Sequence, residues 1–516
     1  MKALLIPCDT RPPTLEAPVQ AARSAGVTLV TPPPELLNRL NQPGDPAAIA
    51  AWLLDQAADA EFAVITLETL ALGGMIPARR VDDPLEVALE RLEVLREVKR
   101  RHPRLRLLAY GVIVRVAHGD DPLEEKPYFG QFGARLRAVS EATDRAERSG
   151  GATDAAALAT ARAEVPESIL KNWLGTRERN HALHRRAIEL LAEGALEHLC
   201  LTLDDTTPYG LAARDRRRLE ALLDAGNLWE RADVYPGADE VAATLVARAL
   251  VNKRGRGPLP VRVLYPGSLA ESSVMLYEDR VLGELVRAHL RAAGCRLARS
   301  GETPAFTLAV NAPAERQAER APDFEVVDTA NRNLPAFLDE LAAVQTAGEP
   351  LAVADVAYAN GSEPRFTRLM LARLDVTRLL SYAAWNTAGN TLGGAIGAAV
   401  CALIGAGDSN ATGPENLARV EALFSRLVDD HLYQGGVRGE VSAALHDPSP
   451  FDLGPRRAQA EAEIVARILP RAQALWDEHF APRLPGVALS LGTPSLAWPR
   501  LFTGVFPLSV SAAQEG

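Results

Sequence analysis

The stretch Leu201-Thr-Leu-Asp204-Asp205-Thr-Thr-Pro-Tyr209-Gly210 is an apolar run that ends in two adjacent carboxylates and then in turn residues. A short leucine-rich run of this kind is typical of a buried strand, and the residues after it favour a turn. Two acids at the point where a strand leaves the core are a candidate catalytic pair. The same order of a short apolar run, a turn and two adjacent acids recurs at Asp233-Val-Tyr-Pro-Gly237-Ala-Asp239-Glu240.

Further short apolar runs alternate with helical patterns over the first 310 residues. The runs are Lys2 to Pro7, Val27 to Thr31, Phe62 to Leu67, Leu105 to Val116, Leu199 to Leu203, Asp233 to Tyr235, Val261 to Tyr265 and Phe306 to Val310. Such alternation predicts βα units and a parallel sheet. Because eight strands suit a closed barrel, we predict an α/β fold with a (β/α)8-barrel-like catalytic domain.

The pattern along the chain also predicts how it is divided. We assign residues 1–320 to the barrel-like catalytic domain, 321–410 to an α/β extension that contributes a site loop, and 411–516 to a helical C-terminal region. Residues 124–168 are polar and helical with a Ser-Gly-Gly break in the middle, so they are predicted to form an insertion or lid.

Composition narrows the classes of function. The chain has 516 residues, of which 47% are hydrophobic and 24% charged, which is typical of a soluble globular protein. Its net charge of −10, without a basic block, disfavours a nucleic-acid partner. We see neither a secretory signal nor a run of about 20 apolar residues, so we expect a cytoplasmic location and no membrane partner. The sequence does not decide the oligomeric state, and a homo-oligomer is one option.

Several cofactor and metal motifs are missing from the sequence. The four cysteines, Cys8, Cys200, Cys295 and Cys401, are far apart and have no CxxC spacing, so we interpret them as small buried hydrophobic residues. The glycine pairs do not fit a dinucleotide fingerprint, and neither a phosphate-binding loop nor a serine nucleophile elbow occurs. We therefore expect no cofactor and no resident metal.

Polar residues follow many of the predicted strands. Loops after parallel strands meet at one edge of a sheet or barrel, so these residues predict a shared pocket. Any single one of them fits a helix cap or a turn equally well. The candidate substrate-binding residues are Asp9, Arg11, Glu68, Arg115, Tyr209, Asp355, Asn360, Trp385, Asn386 and Asn390.

Two adjacent acids at a strand end can have two different catalytic roles. A carboxyl group in a dry pocket beside another carboxylate gains proton affinity and can act as a general acid, while its charged partner orients the ligand. Substrate-assisted glycosidases need such an acid and a polarising neighbour, because the 2-acetamido oxygen of the sugar is the nucleophile.

Two short resemblances point to that chemistry. Asp204-Asp205 resembles the aspartate pair that ends a strand in glycoside hydrolase family 84, the O-GlcNAcase and bacterial hyaluronidase-like group. Gly237-Ala-Asp239-Glu240-Val resembles the Gly-x-Asp-Glu-Val signature of family 20 β-N-acetylhexosaminidases. Both families imply a (β/α)8 barrel and substrate-assisted catalysis. Family 84 implies that Asp204 polarises the acetamido group and Asp205 protonates the leaving oxygen; Asp239 and Glu240 are the second choice for these roles.

A broader resemblance covers most of the chain. The motifs Pro7-Cys-Asp9-Thr-Arg11-Pro12, Gly73-Gly74-Met-Ile-Pro-Ala-Arg79-Arg80, Arg179-Asn180-His181 and Trp385-Asn386-Thr387-Ala-Gly389-Asn390-Thr391 are similar to those of a bacterial domain-of-unknown-function family of about 500 residues. The usual member begins Pro-Leu-Asp-x-Arg-Pro, and Cys8 replaces the leucine here without loss of a polar group. This resemblance implies no activity.

The favoured function is removal of a terminal β-N-acetylhexosamine, GlcNAc or GalNAc, by substrate-assisted retaining catalysis. One alternative is a divalent-metal-dependent hydrolase, in which Asp9, Glu68, Asp204, Asp205, Asp239 and Asp355 converge as oxygen ligands. His118, His181 and His184 could add nitrogen ligands. His181 and His184 share one helix face, but no third ligand is identifiable there. A second alternative is a sugar-binding protein without catalysis, based on Trp385 and the amides.

Overall fold

The computed structural model describes residues 1–255, 257–319, 327, 330–406, 412–446 and 448–513. Its contacts divide the chain into two interleaved units. The first unit comprises residues 1–10, 29–238 and 277–279, and the second comprises residues 11–28, 239–276 and 280–516. The domain boundaries predicted near residues 320 and 410 fall outside the described residues and stay predictions.

The strands are short, and most of them lie in the first three quarters of the chain. They are β1 (Lys2–Ile6), β2 (Thr28–Val30), β3 (Phe62–Thr66), β4 (Arg106–Ile113), β5 (His198–Leu203), β6 (Ala232–Pro236), β7 (Leu259–Leu264), β8 (Cys295–Leu297), β9 (Phe306–Asn311), β10 (Leu351–Asp355), β11 (Ser381–Ala383), β12 (Val487–Leu491), β13 (Ser495–Leu496), β14 (Gly504–Val505) and β15 (Leu508–Ala512).

Helices connect the strands and form most of the C-terminal part. They are α1 (Glu16–Ser24), α2 (Pro46–Gln56), α3 (Leu67–Leu72), α4 (Met75–Arg80), α5 (Leu85–Leu92), α6 (Val94–Arg101), α7 (Phe129–Ser149), α8 (Ala152–Ala163), α9 (Glu167–Ala192), α10 (Leu211–Ala225), α11 (Val241–Arg254), α12 (Leu282–Ala292), α13 (Leu334–Thr346), α14 (Pro364–Arg373), α15 (Ala388–Gly405), α16 (Pro414–Arg426), α17 (Arg438–Ala444) and α18 (Arg457–His479). A wider, π-helical segment, Leu427–Val437, joins α16 to α17.

The first unit is built on a six-stranded sheet with the order β2-β1-β3-β4-β5-β6, in which the pairs from β1 to β6 are parallel. Side chains alternate between the faces of a strand. Leu199, Leu201 and Leu203 of β5 therefore share one face, where they form a core with helices α2 to α6, α9 and α10. The carboxyl ends of the parallel strands meet at one edge of the sheet, and this edge carries the polar loops.

The second unit has a five-stranded parallel sheet with the order β11-β10-β9-β7-β8. The apolar helix α15 contacts α1, α11 and α12, and most of its residues are buried. A separate core lies among β10, α13, α14, the helices from α16 to α18 and the short strands near the C-terminus. Two small antiparallel pairs, β12 with β15 and β13 with β14, complete this unit.

The α/β class with parallel sheets is confirmed, and each of the eight apolar runs identified in the sequence forms a strand. The closed barrel stays a prediction. The segment predicted as an insertion contains α7 and α8, and Phe129, Leu136 and Val139 of α7 belong to a small separate core. Within the described residues, α15 alone is long and apolar enough to cross a membrane, and it is largely buried inside the protein.

The glycine that precedes α4 tests how tightly the first unit is packed. Gly74 has φ +138°, and a Cβ atom there would lie 2.4 Å from Cγ of Asn38. We expect Gly74→Ala to lower the free energy of unfolding by about 2–4 kcal/mol, because backbone strain and overpacking act together. The matched control is Gly150→Ala, at φ +62° with open space around it, for which strain alone predicts about 1 kcal/mol. Urea unfolding of the full chain measures both, and equal losses would contradict this assignment.

Candidate functional site

The acid pair of the first unit lies in a network of guanidinium and carboxylate groups. We call this network the carboxylate cluster; its members are Arg79, Arg115, Glu124, Glu125, Asp204 and Asp205. Asp204 and Asp205 directly follow β5, and Arg115 follows β4. Ile113 pairs with Leu203 in the sheet, so the residues just beyond them emerge side by side. The predicted association of Arg115 with the two aspartates is therefore present.

Arg115 lies at the centre of the carboxylate cluster. Its guanidinium group donates to Asp205 Oδ2 at 2.8 Å, to Glu124 at 2.6 Å and to Glu125 at 3.0 Å. It also lies 3.5 Å from Asp204 Oδ2. Burial disfavours the charge of Arg115, but the surrounding carboxylates outweigh this effect and raise its pKa well above the ordinary value. Arg115 therefore stays a cation that holds the four acids together.

Asp204 has a second cationic partner. Arg79 Nη2 donates to Asp204 Oδ2 at 2.5 Å, and the Arg79 side chain is 3% exposed. Hydrogen bonds between a guanidinium and a carboxyl group are short and strong when both are largely buried. Arg79 therefore fixes the position of Asp204.

Helix α9 holds the two arginines in position. Arg179 and Asn180 donate to the carbonyl oxygen of Ala78, at 2.7 Å and 2.9 Å, which fixes the last turn of α4 that carries Arg79. Arg177 donates to the carbonyl oxygen of Arg115 at 3.0 Å. Carbonyl groups at a helix end need partners when buried, and these side chains supply them. The polar face of α9 therefore determines the geometry of the carboxylate cluster.

Asp205 differs from its neighbour in backbone conformation and in proton affinity. Its φ of +45° lies in the left-handed region, which is uncommon for a residue with a side chain and recurs at functional sites. Burial and, to a smaller extent, the charge of Asp204 raise the pKa of Asp205 to about 7, against the opposing effect of Arg115 and Arg79. Asp205 is therefore the member of the pair that holds a proton close to neutral pH.

The other predicted residues of the first unit are placed differently. Glu68 lies in α3, where it accepts hydrogen bonds from the Val112 amide at 2.9 Å and from His184 Nε2 at 2.8 Å. Tyr209 is 38% exposed, and its ring is covered by the guanidinium groups of Arg145 and Arg148. Glu68 thus connects β4 to α9, and Tyr209 stacks on cations in the loop after β5.

Asp9 and the remaining histidines complete the predicted set of this unit. Asp9 is buried directly after β1, and the thiol of Cys8 lies 3.8 Å from its Oδ2. His181 is buried on α9, and burial lowers its pKa to about 4. His118 contacts the ring of Tyr277 edge on.

The second-choice acid pair lies in the second unit, where both carboxylate oxygens of Asp239 accept hydrogen bonds. Arg11 donates to both oxygens of Asp239, at 2.6 Å and 3.1 Å, and Trp385 Nε1 donates to Oδ2 at 3.1 Å. The Asp239 amide donates to the side chain of Asn390 at 3.0 Å. Glu240 is buried, with an oxygen 3.8 Å from His289 Nδ1. The structure brings Arg11, Asp239, Trp385 and Asn390 together as a buried ion-pair centre.

Asn386 precedes α15 and has φ +56°. The next residue, Thr387, caps the helix by accepting a hydrogen bond from the Asn390 amide. The Trp385 ring is 4% exposed and packs against Phe502 at 5.0 Å between ring centres. In this conformation the sequence Trp385-Asn386-Thr387 forms a packed strand-to-helix turn, which agrees with the capping role considered for it.

Asp355 and Asn360 lie in other hydrogen-bonding networks of the second unit. Asp355 accepts from Asn311 Nδ2 at 2.7 Å and from the Glu363 amide at 2.7 Å. Burial and then the charge of Glu363 raise the pKa of Asp355 to about 7. Asn360 donates to Glu319 at 2.9 Å. Neither side chain contacts the Asp239 centre through a hydrogen bond that the structure records.

Sequence reasoning missed three members of the carboxylate cluster, namely Arg79, Glu124 and Glu125. Arg79 belongs to the Gly-Gly-Met-Ile-Pro-Ala-Arg-Arg motif, which was quoted for the family resemblance but given no role. Glu124 and Glu125 open the segment predicted as an insertion. Their adjacency repeats the paired-acid pattern of Asp204 and Asp205, and this repetition is the signal that could have identified them.

Comparison with known proteins identifies the family of this chain. The model of one protein family, described as a protein of unknown function (DUF4127), matches residues 3–505. The chain belongs to this family. Searches of curated proteins and of solved structures gave no match.

The proton affinity of Asp205 predicts a pH-dependent stability. Its pKa in the folded chain, about 7, lies above the ordinary value of 3.8, so folding favours the protonated form. The contribution of Asp205 to the free energy of unfolding is fully present below pH 3.8 and is lost as the pH rises through 7. We expect Asp205→Asn to melt a few degrees above the wild type at pH 8, with the difference shrinking toward pH 4.

The matched control for this experiment is Asp82→Asn in the same unit. The hydrogen bond from Lys126 lowers the pKa of Asp82, so this variant should be no more stable than the wild type at pH 8. Differential scanning calorimetry over the pH range measures both variants. A difference between Asp205→Asn and wild type that does not change with pH would contradict the raised pKa.

The Asp239 centre predicts that loss of this aspartate lowers the stability of the fold. Removing one partner of a buried ion pair leaves an uncompensated charge, so Asp239→Ala should lower the free energy of unfolding by about 3–5 kcal/mol. The control is Asp339→Ala, which breaks the exposed ion pair with Arg373 and should cost less than about 1 kcal/mol. Urea unfolding measures both losses, and a negligible loss for Asp239→Ala would show that this pair does not hold the unit together.

Proposed function

We propose that this member of the DUF4127 family is a glycoside hydrolase that removes a terminal β-N-acetylhexosamine by substrate-assisted retaining catalysis. The observation that carries the proposal is the placement of Asp204 and Asp205 at the carboxyl end of β5, where Arg79 and Arg115 contact Asp204 and burial raises the pKa of Asp205 to about 7. Substrate-assisted cleavage needs one carboxyl that can donate a proton and one charged carboxylate beside it. The barrel-like arrangement expected for such enzymes belongs to this proposal.

In the proposed reaction Asp205 is the general acid. Arg115 occupies its Oδ2, so the proton is assigned to Oδ1. As the glycosidic bond breaks, the acetamido oxygen of the sugar bonds to the anomeric carbon and Asp205 gives its proton to the leaving oxygen. Water then opens the cyclic intermediate, and its proton returns to Asp205. A group with a pKa of about 7 suits both the donation and the return near neutral pH.

Asp204 is assigned the orienting role. The acetamido nitrogen gains positive charge as its oxygen attacks, and a carboxylate that accepts its N–H hydrogen bond stabilises this charge. Arg79 donates a hydrogen bond to Asp204 Oδ2 and fixes its orientation. The second-choice pair fits less well, because Arg11 and Trp385 already occupy the carboxylate of Asp239. Tyr209 follows Asp205 by four residues and is 38% exposed, but Arg145 and Arg148 cover its ring.

A panel of aryl β-N-acetylhexosaminides tests the proposal. We expect Asp205→Asn to lower kcat/KM by about 10²–10⁴-fold on substrates with poor leaving groups and far less on nitrophenyl substrates, because a good leaving group needs no proton. Asp204→Asn should lower the rate on all of them alike. The wild-type kcat/KM should fall above pH 7, where Asp205 loses its proton, and this fall should be absent in Asp205→Asn.

Asp82→Asn is the control for this panel, since Asp82 is an exposed aspartate of the same unit. Inactivity of the folded wild type on both GlcNAc and GalNAc aryl glycosides would overturn the proposal. Activity that requires an added divalent ion and disappears with a chelator would favour the metal-dependent hydrolase. Within the described part of the chain, the acids named for that alternative do not form a group of three ligand atoms within reach of one ion. Sugar binding without turnover would favour a non-catalytic protein.

A further inference from the structure

Three buried polar side chains lie together on β5 and β6 of the first unit. They are His198, Cys200 and Asp233, and they are 2%, 0% and 2% exposed. One nitrogen, sulfur or oxygen atom from each of them lies within 4.8 Å of the others. His198 Nε2 is 2.8 Å from Asp233 Oδ2. We call this group the His-Cys-Asp cluster.

The register of the sheet fixes this arrangement. His198 and Cys200 are two residues apart on β5, so their side chains point to the same face. Cys200 pairs with Asp233 on the neighbouring parallel strand β6, which places the carboxylate directly beside the thiol. The convergence therefore depends on the backbone hydrogen bonding between β5 and the edge strand β6 and not on a flexible loop.

The composition of this face is unusual for a buried parallel sheet. Strands buried on both faces normally carry aliphatic residues throughout. On β5 the alternate residues Leu199, Leu201 and Leu203 follow that rule on the face packed against helices, whereas His198 on the other face does not. Buried polar groups are costly unless they hydrogen-bond or coordinate a metal. His198 hydrogen-bonds to Asp233, and coordination of one ion would engage the thiol of Cys200 together with them.

The donor set matches zinc. Zn²⁺ is bound in proteins by cysteine sulfur, histidine nitrogen and carboxylate oxygen at about 2.0–2.3 Å, in tetrahedral geometry. Ligand atoms around such an ion lie roughly 3.3–3.7 Å apart. The three candidate ligand atoms lie within 4.8 Å of one another, which is close to this spacing. The mixture of soft and hard donors excludes Ca²⁺ and Mg²⁺, which prefer oxygen ligands alone.

We propose that His198, Cys200 and Asp233 bind a single transition-metal ion, with Zn²⁺ as the best match. Cys200 loses its thiol proton to solvent when the ion binds, and His198 coordinates in its neutral form. Asp204 lies four residues along β5 from Cys200, or about 13 Å at the rise of a strand. The ion is therefore remote from the carboxylate cluster and joins β5 to β6 within the core. This inference does not depend on the proposed glycosidase activity.

Metal content of the full chain tests the inference. Protein produced in zinc-containing medium should retain about one equivalent of zinc in elemental analysis after desalting. Metal-free wild type should bind Co²⁺ with the near-ultraviolet band of a cobalt–thiolate bond and the intense visible bands of a tetrahedral site. Removal of zinc should lower the melting temperature by several degrees, and its return should restore it, because binding to the folded state stabilises it.

Cysteine variants locate the site. Cys200→Ala should abolish the cobalt–thiolate band, while Cys295→Ala and Cys401→Ala, which alter buried cysteines of the second unit, should retain it. A wild type that binds neither ion stoichiometrically would overturn the inference and leave a His–Asp hydrogen bond in the core, whatever the variants do. A folded Cys200→Ala protein that keeps the thiolate band would overturn it as well.

Discussion

The parallel pairing of β4, β5 and β6 is the constraint on which the first unit depends. It sets the leucines of β5 toward the helices, and it brings Arg115 and Asp205 out side by side at the carboxyl edge. The same register aligns Cys200 with Asp233 near the other end of the strands. A shift by one residue would exchange the two faces and separate both polar groups. The fold and the two candidate sites thus share one physical cause.

The carboxylate cluster shows how one of two neighbouring acids acquires a raised pKa. Arg79 contacts Asp204, Glu124 and Glu125, and Arg115 contacts all four acids of the cluster. For Asp205 the cost of burial, together with the charge of Asp204, outweighs the attraction of both arginines and raises its pKa to about 7. The strained backbone of Asp205 agrees with this view, since proteins retain such conformations mostly where geometry serves a function.

The two acid pairs look alike in sequence, yet the structure places them in different settings. Asp239 pairs with Arg11, which lies 228 positions earlier in the chain, so local sequence contains no sign of this contact. Trp385 and Asn390 were predicted to bind a sugar, and they lie against the same aspartate. The sequence thus listed Trp385 and Asn390 as candidates for one site. In the structure they hydrogen-bond and pack as buried core residues do. Buried ion pairs of this kind fix the arrangement of elements rather than add much stability.

The sequence by itself determined the α/β class, eight of the nine strands described between Lys2 and Asn311 and the location of acids after several of them, because side-chain alternation and turn residues are local signals. The strand that it missed, β8, is only three residues long. The sequence also placed Arg115 in the same predicted pocket as Asp204 and Asp205. Only the tertiary structure decided the two parallel sheets, the ion pair of Asp239 with Arg11, and the contacts of Arg79 with Glu125 and of His198 with Asp233. These contacts join residues far apart in the chain, and charge balance and burial, which set their chemistry, exist only after folding.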